Sequence, residues 1–208
     1  VGHDRREAAV HAVSERPRVG GAAAVLPSRV GEAHVVAQLV SEVSDDEEMI
    51  AAAWLHDTVE DTEVTFQDLE LEFGAGVAQL VSELTDVSKV ADGNRAVRKA
   101  IDRAHLAQAS PRAQTIKLAD LIDNCRDICK HDERFARVFV VEMASLLEVL
   151  SEGDAGLLRR AHKTLEQCAD KISLPLVGHA ADEFSGDTRQ LSELEQEFSR
   201  QQHRTLGA

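Results

Sequence analysis

His56 and Asp57 stand side by side at the end of an apolar run, and Glu60 and Asp61 follow one helical turn later, in the stretch AAAWLHDTVEDT from Ala51 to Thr62. An imidazole beside a carboxylate offers one nitrogen and one oxygen donor, a set that suits Mn, Fe, Co, Ni or Zn better than thiolate-seeking metals. Continued as a helix, the i,i+4 spacing sets Glu60 over His56 and Asp61 over Asp57. Three carboxylates on so small a patch repel one another unless a cation or a proton relieves them. Two adjacent donors do not hold a metal, and taken alone the stretch reads more commonly as a solvated acidic helix end. Further ligands have to come from elsewhere in the chain.

Two other stretches carry groups of chemical interest. Between Lys89 and Arg103 an otherwise acidic chain gathers Lys89, Arg95, Arg98, Lys99 and Arg103. These five cations read either as a solvated helix face paired with Asp92 and Asp102, or as contacts for phosphate. Further on, Asp120 and Asn124 share a face of a markedly apolar segment, RAQTIKLADLIDNCRDICK. A carboxylate there needs a partner, because an isolated buried charge is prohibitively costly. A salt bridge to Lys117 or Arg126 is one solution and metal ligation is the other.

The elements that must position these groups read as helices. Aromatic residues make up 3% of the chain and Tyr is absent, while Ala, Leu, Val and Glu abound, a composition that favours helix over sheet. Residues 4–15 can form a first helix. Pro and Gly recur from 16 to 32, which predicts a long loop there. From Ala33, with His34 near its start, Val36, Leu39, Val40 and Val43 form an amphipathic stripe. The run Ser44 to Glu47 caps the next helix, which delivers His56. Thr65 with Asp68 predicts a variant capping box for a short helix ending at Gly74, and Val77, Leu80, Val81 and Leu84 mark another. Ser110-Pro111 is a helix start, with proline at the first helical position. Arg134–Leu150 and Ala155–Ile172 read as packing helices, and a break follows at Leu174-Pro175. From Asp182 the chain is polar, with Leu191, Leu194 and Phe198 spaced as a weak amphipathic docking helix.

The 208 residues are 43% apolar, enough for one large domain. A net charge of −14 argues against non-specific binding to nucleic acid or to an anionic membrane, both of which need basic surface. No run approaches the length of a membrane span, and the first residues do not read as a signal peptide. The expectation is a soluble, cytoplasmic protein. Cys125, Cys129 and Cys168 are odd in number and lack CxxC spacing, which predicts reduced core thiols rather than a disulfide or a zinc ribbon.

Taken together, His34, then His56-Asp57, then Asp120, all on predicted helices, resemble the metal-binding pattern of the HD-domain phosphohydrolase superfamily. The stretch HDTVEDT-EVTFQDLELEFGAGVAQLVSELTDVSK, followed by TIKLADLIDN, is similar to the hydrolase domain of bifunctional alarmone synthetase/hydrolases and to the standalone small alarmone hydrolases. The resemblance implies an all-α, single compact fold of roughly eight to ten helices. It places the hydrolase domain over 1–180, with its core at 30–150 and a polar tail at 181–208. It implies one divalent metal, Mn²⁺ in those relatives, held by His34, His56, Asp57 and Asp120, with Glu60 and Asp61 orienting or deprotonating the attacking water. Asn124 matches a position near the substrate ribose, and the basic residues Arg95, Lys99 and Arg103 are candidate contacts for phosphate. The implied reaction is removal of the 3′-pyrophosphate from guanosine tetra- or pentaphosphate. The alternatives are hydrolysis of another nucleotide or phosphoester and, less favoured, a non-catalytic helical sensor module. A small nucleotide is the implied partner, and homo-oligomer formation is left open. The chain departs from the family around His34, where SRVGEAHVV replaces a stretch resembling PYxxHP. Leu121 stands where Arg is frequent, and Asp123-Asn124 where His-Asn is usual.

Overall fold

A computed structural model describes residues 30–174; the expected helix at 4–15, the loop as far as residue 29 and the polar tail lie outside them. Among the described residues there are nine α-helices and no strand, in the order α1 (Val30–Ser41), α2 (Glu47–Leu55), α3 (Thr58–Asp61), α4 (Phe66–Phe73), α5 (Ala75–Leu84), α6 (Arg95–Leu106), α7 (Pro111–His131), α8 (Glu133–Leu147) and α9 (Ala155–Lys171). A 3₁₀ turn, Val90–Asp92, precedes α6. No described helix is long and apolar enough to cross a membrane.

Local chemistry explains most of the boundaries. The Asp46 side chain accepts the Glu48 and Met49 N–H groups and starts α2. Thr65 and Asp68 form the reciprocal capping box at the start of α4. Gly74, with φ of 91°, ends α4 and opens α5 in a conformation that L side chains rarely adopt. Ser110 accepts the Ala113 N–H ahead of Pro111. One boundary differs from the reading of the sequence: α1 begins at Val30, inside the stretch expected to be loop as far as 32. Proline and glycine punctuation ends at Pro27, and Gly31 in a first turn interrupts no established hydrogen bond.

Helix α7 is the axis of the fold, packing against α1, α2, α5, α8 and α9. Ile116, Leu118, Ala119, Ile122 and Cys125 are all fully buried on it, as its broad apolar coverage requires. Its first turns also hold two loops by polar contacts. Gln114, fully buried, donates to the Leu106 and Ala109 carbonyls at 3.4 and 3.2 Å and accepts the Glu152 N–H at 2.9 Å. Thr115 accepts the Asp154 N–H at 3.0 Å. Between those two anchors Gly153 comes so close that a Cβ there would lie 2.7 Å from Leu118 Cδ1 and 3.2 Å from the Gln114 backbone.

The cysteines depart from expectation. Cys129 on α7 and Cys168 on α9 form a disulfide, and Cys125 remains a buried free thiol. The three-cysteine count and the absence of CxxC report only spacing along the chain. They carry no information about which faces of α7 and α9 meet 39 residues apart.

Two stability measurements follow. Gln114→Leu keeps the volume but removes the partner of the Glu152 N–H and of the Ala109 carbonyl, while the Leu106 carbonyl keeps the Ala109 N–H, and is expected to lower stability by on the order of 1–3 kcal/mol. A urea midpoint that falls with an unchanged slope is the readout. Glu83 accepts from the Ser110 backbone N–H at 2.9 Å and from its hydroxyl. Burial pushes the Glu83 carboxyl up, but these Ser110 hydrogen bonds outweigh it and the pKa ends below the ordinary value. A depressed carboxylate contributes stability above its unfolded pKa of about 4.3 and loses it as pH falls through the folded value. Glu83→Gln should therefore flatten the acid limb of a stability-versus-pH curve, and an unchanged limb would refute the assignment.

Candidate metal centre

The helix that delivers His56 does not run on through the acidic pair. His56 closes α2, Asp57 turns at φ −96° and ψ 0°, and α3 is a single turn. The Glu60 and Asp61 N–H groups both return to the Asp57 carbonyl, at 3.1 and 2.9 Å. Glu60 is therefore not stacked over His56 as the spacing suggested. Its Oε1 accepts the Asp86 N–H at 2.8 Å in the segment after α5. Asp61 is exposed on the same turn.

His56 is 5% exposed, and both ring nitrogens are engaged. Nδ1 lies 2.9 Å from the Ala53 carbonyl, which can only accept, so Nδ1 carries a proton. Nε2 then faces Asp57 Oδ2 at 3.2 Å and Asp120 Oδ1 at 3.5 Å. A bare lone pair against two carboxylates is repulsive, so a second proton or another cation has to sit between them. Burial alone pulls the imidazole pKa down; hydrogen bonding and charge from Asp120 and Asp57 overcome that and raise it to about 10. In the chain by itself, the imidazolium fills the cation's role.

Asp120 is held from its own helix. Lys117 Nζ lies 2.8 Å from Oδ2, one turn before it, and Asn124 Nδ2 donates to Oδ1 at 2.6 Å, one turn after. Burial pushes the Asp120 carboxyl up, but the Lys117 ammonium and His56 hold it well below the usual carboxylate range. Lys117, whose side chain is 19% exposed, is in turn held above the usual lysine range by Asp120, Asp86 and Asp57 against the opposing effect of burial. Glu60 shifts the other way. Crowding of its carboxylate by protein raises its pKa, and the Asp86 N–H and Lys117 only partly offset that. A carboxylate so raised is a better proton acceptor than an ordinary one.

The donor types at His56, Asp57 and Asp120, one imidazole and two carboxylates, fit a divalent ion of the first transition row. The set is open, however. Each carboxylate reaches His56, but among the described residues the three donor atoms that all lie within 4.8 Å of one another belong to the cysteines, not to this set. The Asp57 side chain is 40% exposed, whereas that of Asp120 is 7% exposed and held by Lys117 and Asn124. His34 is exposed on α1, with its ring 5.3 Å from that of Trp54, two residues ahead of His56. The structure thus gathers three of the four expected ligands and sets the fourth against the neighbouring indole.

Two of the basic residues, Arg95 and Lys99, are engaged by carboxylates. Arg95 makes a two-pronged bridge to Glu142, at 2.6 and 2.9 Å, with its guanidinium over the Phe135 ring. Lys99 pairs with Asp86 at 2.8 Å. Asp102, buried, accepts the Val87 and Ser88 N–H groups and the Ser88 hydroxyl. Arg103 stands in the last turn of α6. Asn124, expected near a ribose, spends its amide on Asp120. Sequence reasoning missed Asp86, which links Glu60 to Lys99, and treated Lys117 only as a simple salt-bridge partner. Its signal was a lysine three residues ahead of a carboxylate on a buried helix.

Residues 28–152 match the HD-domain family. The chain belongs to the HD-domain family. Among curated relatives, the HD domain is 45% identical over 83 residues to guanosine-3′,5′-bis(diphosphate) 3′-pyrophosphohydrolase MESH1 of Drosophila melanogaster, covering 40% of this chain and 45% of that one. It is 42% identical over 80 residues to the Homo sapiens protein of the same name, covering 38% and 43%. The chain thus spans about half the length of the curated relatives it matches. A solved structure described as a metazoan ortholog of SpoT that hydrolyzes ppGpp superposes with a TM-score of 0.59 at 28% identity, over 79% of this chain and 93% of that one. A Listeria monocytogenes structure, 19% identical, matches with a TM-score of 0.55 over 67% of this chain and 99% of its own, a likeness of fold.

Lys117→Met should cost roughly 3 kcal/mol or more in the metal-free protein, since it leaves Asp120 buried without its principal cation. The same change in an Asp120→Asn background should cost markedly less. Chemical denaturation of the four proteins gives the coupling, and an equal cost in both backgrounds would show that Lys117 acts through packing alone.

Proposed function

We propose that this HD domain is a divalent-metal-dependent phosphohydrolase that removes the 3′-pyrophosphate of ppGpp or pppGpp, giving GDP or GTP and pyrophosphate. The observation that carries the reading is the convergence of Asp57 and Asp120 on His56 Nε2, one turn from a Glu60 whose pKa is raised. The names of the relatives and the fold of the solved SpoT ortholog support the substrate class.

His56, Asp57 and Asp120 would hold the ion, with His34 as fourth ligand and Mn²⁺ as the expected metal. When bound, a divalent ion supplies Lewis acidity toward a phosphoryl oxygen and acidifies the attacking water. The rest falls to the chain's own groups. The Ala53 carbonyl fixes the ring of His56, which gives up its second proton to present a lone pair. Lys117 and Asn124 fix the Asp120 carboxylate, so that it enters the site in one orientation. Glu60, with Asp61 beside it, takes the proton of the attacking water. Arg95, Lys99, Arg103 and Asn124 are the proposed contacts to phosphate and ribose, the first two by exchanging their carboxylate partners for the substrate. That exchange, and the sequence around His34, favour as the second reading another nucleotide or phosphoester handled by the same chemistry.

Incubation of the purified protein with Mn²⁺ and ppGpp should release pyrophosphate. Absence of turnover with metal shown bound would overturn the substrate assignment, and orthophosphate or pyrophosphate released only from other nucleotides in a panel would select the second reading. The Glu60→Gln/Asp61→Asn variant should lose about 10²–10⁴-fold in kcat while retaining the ion.

A further inference from the structure

Immediately after Asn124 on α7 the available donors change from nitrogen and oxygen to sulfur. Cys125 and Cys129 are four residues apart and share a helix face, and Cys168 reaches them from α9. The three Sγ atoms lie within 4.8 Å of one another, and all three residues are buried. No carboxylate or imidazole belongs to the group. Four-coordinate zinc at about 2.3 Å from sulfur sets its sulfurs about 3.8 Å apart, within the 4.8 Å that spans these three atoms.

We propose that in its reduced form this trio binds one thiophilic d¹⁰ cation, of the Zn²⁺ and Cu⁺ class, and that the Cys129–Cys168 disulfide is the oxidised form that closes the same site. Sulfur donors select such ions over the harder ones suited to His56, Asp57 and Asp120. Opening the site breaks one S–S bond; a dithiol or phosphine reductant supplies two electrons, and two thiols form with two protons from solvent. Binding then displaces thiol protons to water. Burial pushes the Cys125 thiol up to about 11, so this ligand gives up a proton on binding. Lys171 Nζ donates to the Cys129 carbonyl at 2.8 Å and brings a positive charge beside the anionic cluster. Cys129 and Cys168 both lie near the C-terminal ends of their helices. The site is independent of the phosphohydrolase reading, and either can fail alone.

The chain has three cysteines, so any thiolate-to-metal band comes from them. Protein reduced with a phosphine, then freed of it without air, is titrated with Cd²⁺ and followed in the near ultraviolet. The band should saturate at one equivalent, vanish after oxidation with diamide, and require at least tenfold more Cd²⁺ in Cys125→Ser. Should that variant fail to fold, the melting temperature of the wild type decides: Cd²⁺ raises it in the reduced and not in the oxidised protein. Absence of the band from reduced protein, its persistence after oxidation, or an unchanged titration in Cys125→Ser would overturn the proposal.

Discussion

One buried ammonium organises this molecule's chemistry. Lys117 touches Asp120 directly and acts through space on Asp57, Glu60 and Asp86. Four carboxylates drawn into one region of a chain with net charge −14 would otherwise disperse or take up protons. The lysine offsets their mutual repulsion, and it does so from the side of Asp120 remote from His56. One oxygen of Asp120 is committed to the lysine, and the other is turned toward the imidazole.

The fold makes that arrangement durable. Lys117, Asp120 and Asn124 are successive turns of one helix, so their relative positions are set by helix geometry rather than by loop conformation. That helix is enclosed by five others, and its N-terminal turns hold the loops before α7 and before α9 through Gln114 and Thr115. The more adaptable half of the site comes from the α2–α3 turn, where Asp57 is half exposed. A buried carboxylate therefore faces a half-exposed one across the His56 ring.

Much of this was legible in the sequence, and the failures are physical in kind. The stripe of α1 as far as Val40, the cap at Ser110 and the Thr65–Asp68 box are local patterns that survive folding, whereas Val43, expected to continue the stripe, lies past the helix end at Ser41 and is 39% exposed. Asp120 stood out because a buried charge demands a partner, and the His56-Asp57 pair because of its adjacent nitrogen and oxygen donors. What escaped depended on facing rather than spacing. The helix break at Asp57 redirected Glu60 to Asp86, and no periodicity signals a turn made of His, Asp and Thr. The cysteines joined because α7 and α9 pack in one particular rotation. Arg95 and Lys99 looked available for ligand only because Glu142 and Asp86 lie far from them along the chain.

The contact between Glu60 and Asp86 has a consequence for how this site tolerates change. Glu60 receives a main-chain N–H, a group that every residue except proline carries. Substitution at position 86 can therefore remove the partner of Lys99 and leave the perch of the base intact. The proposed base is tethered to the path of the backbone and the Lys99 ammonium to the identity of a side chain, so the residues proposed to handle the proton and those proposed to meet the substrate can vary separately in descendants of this chain.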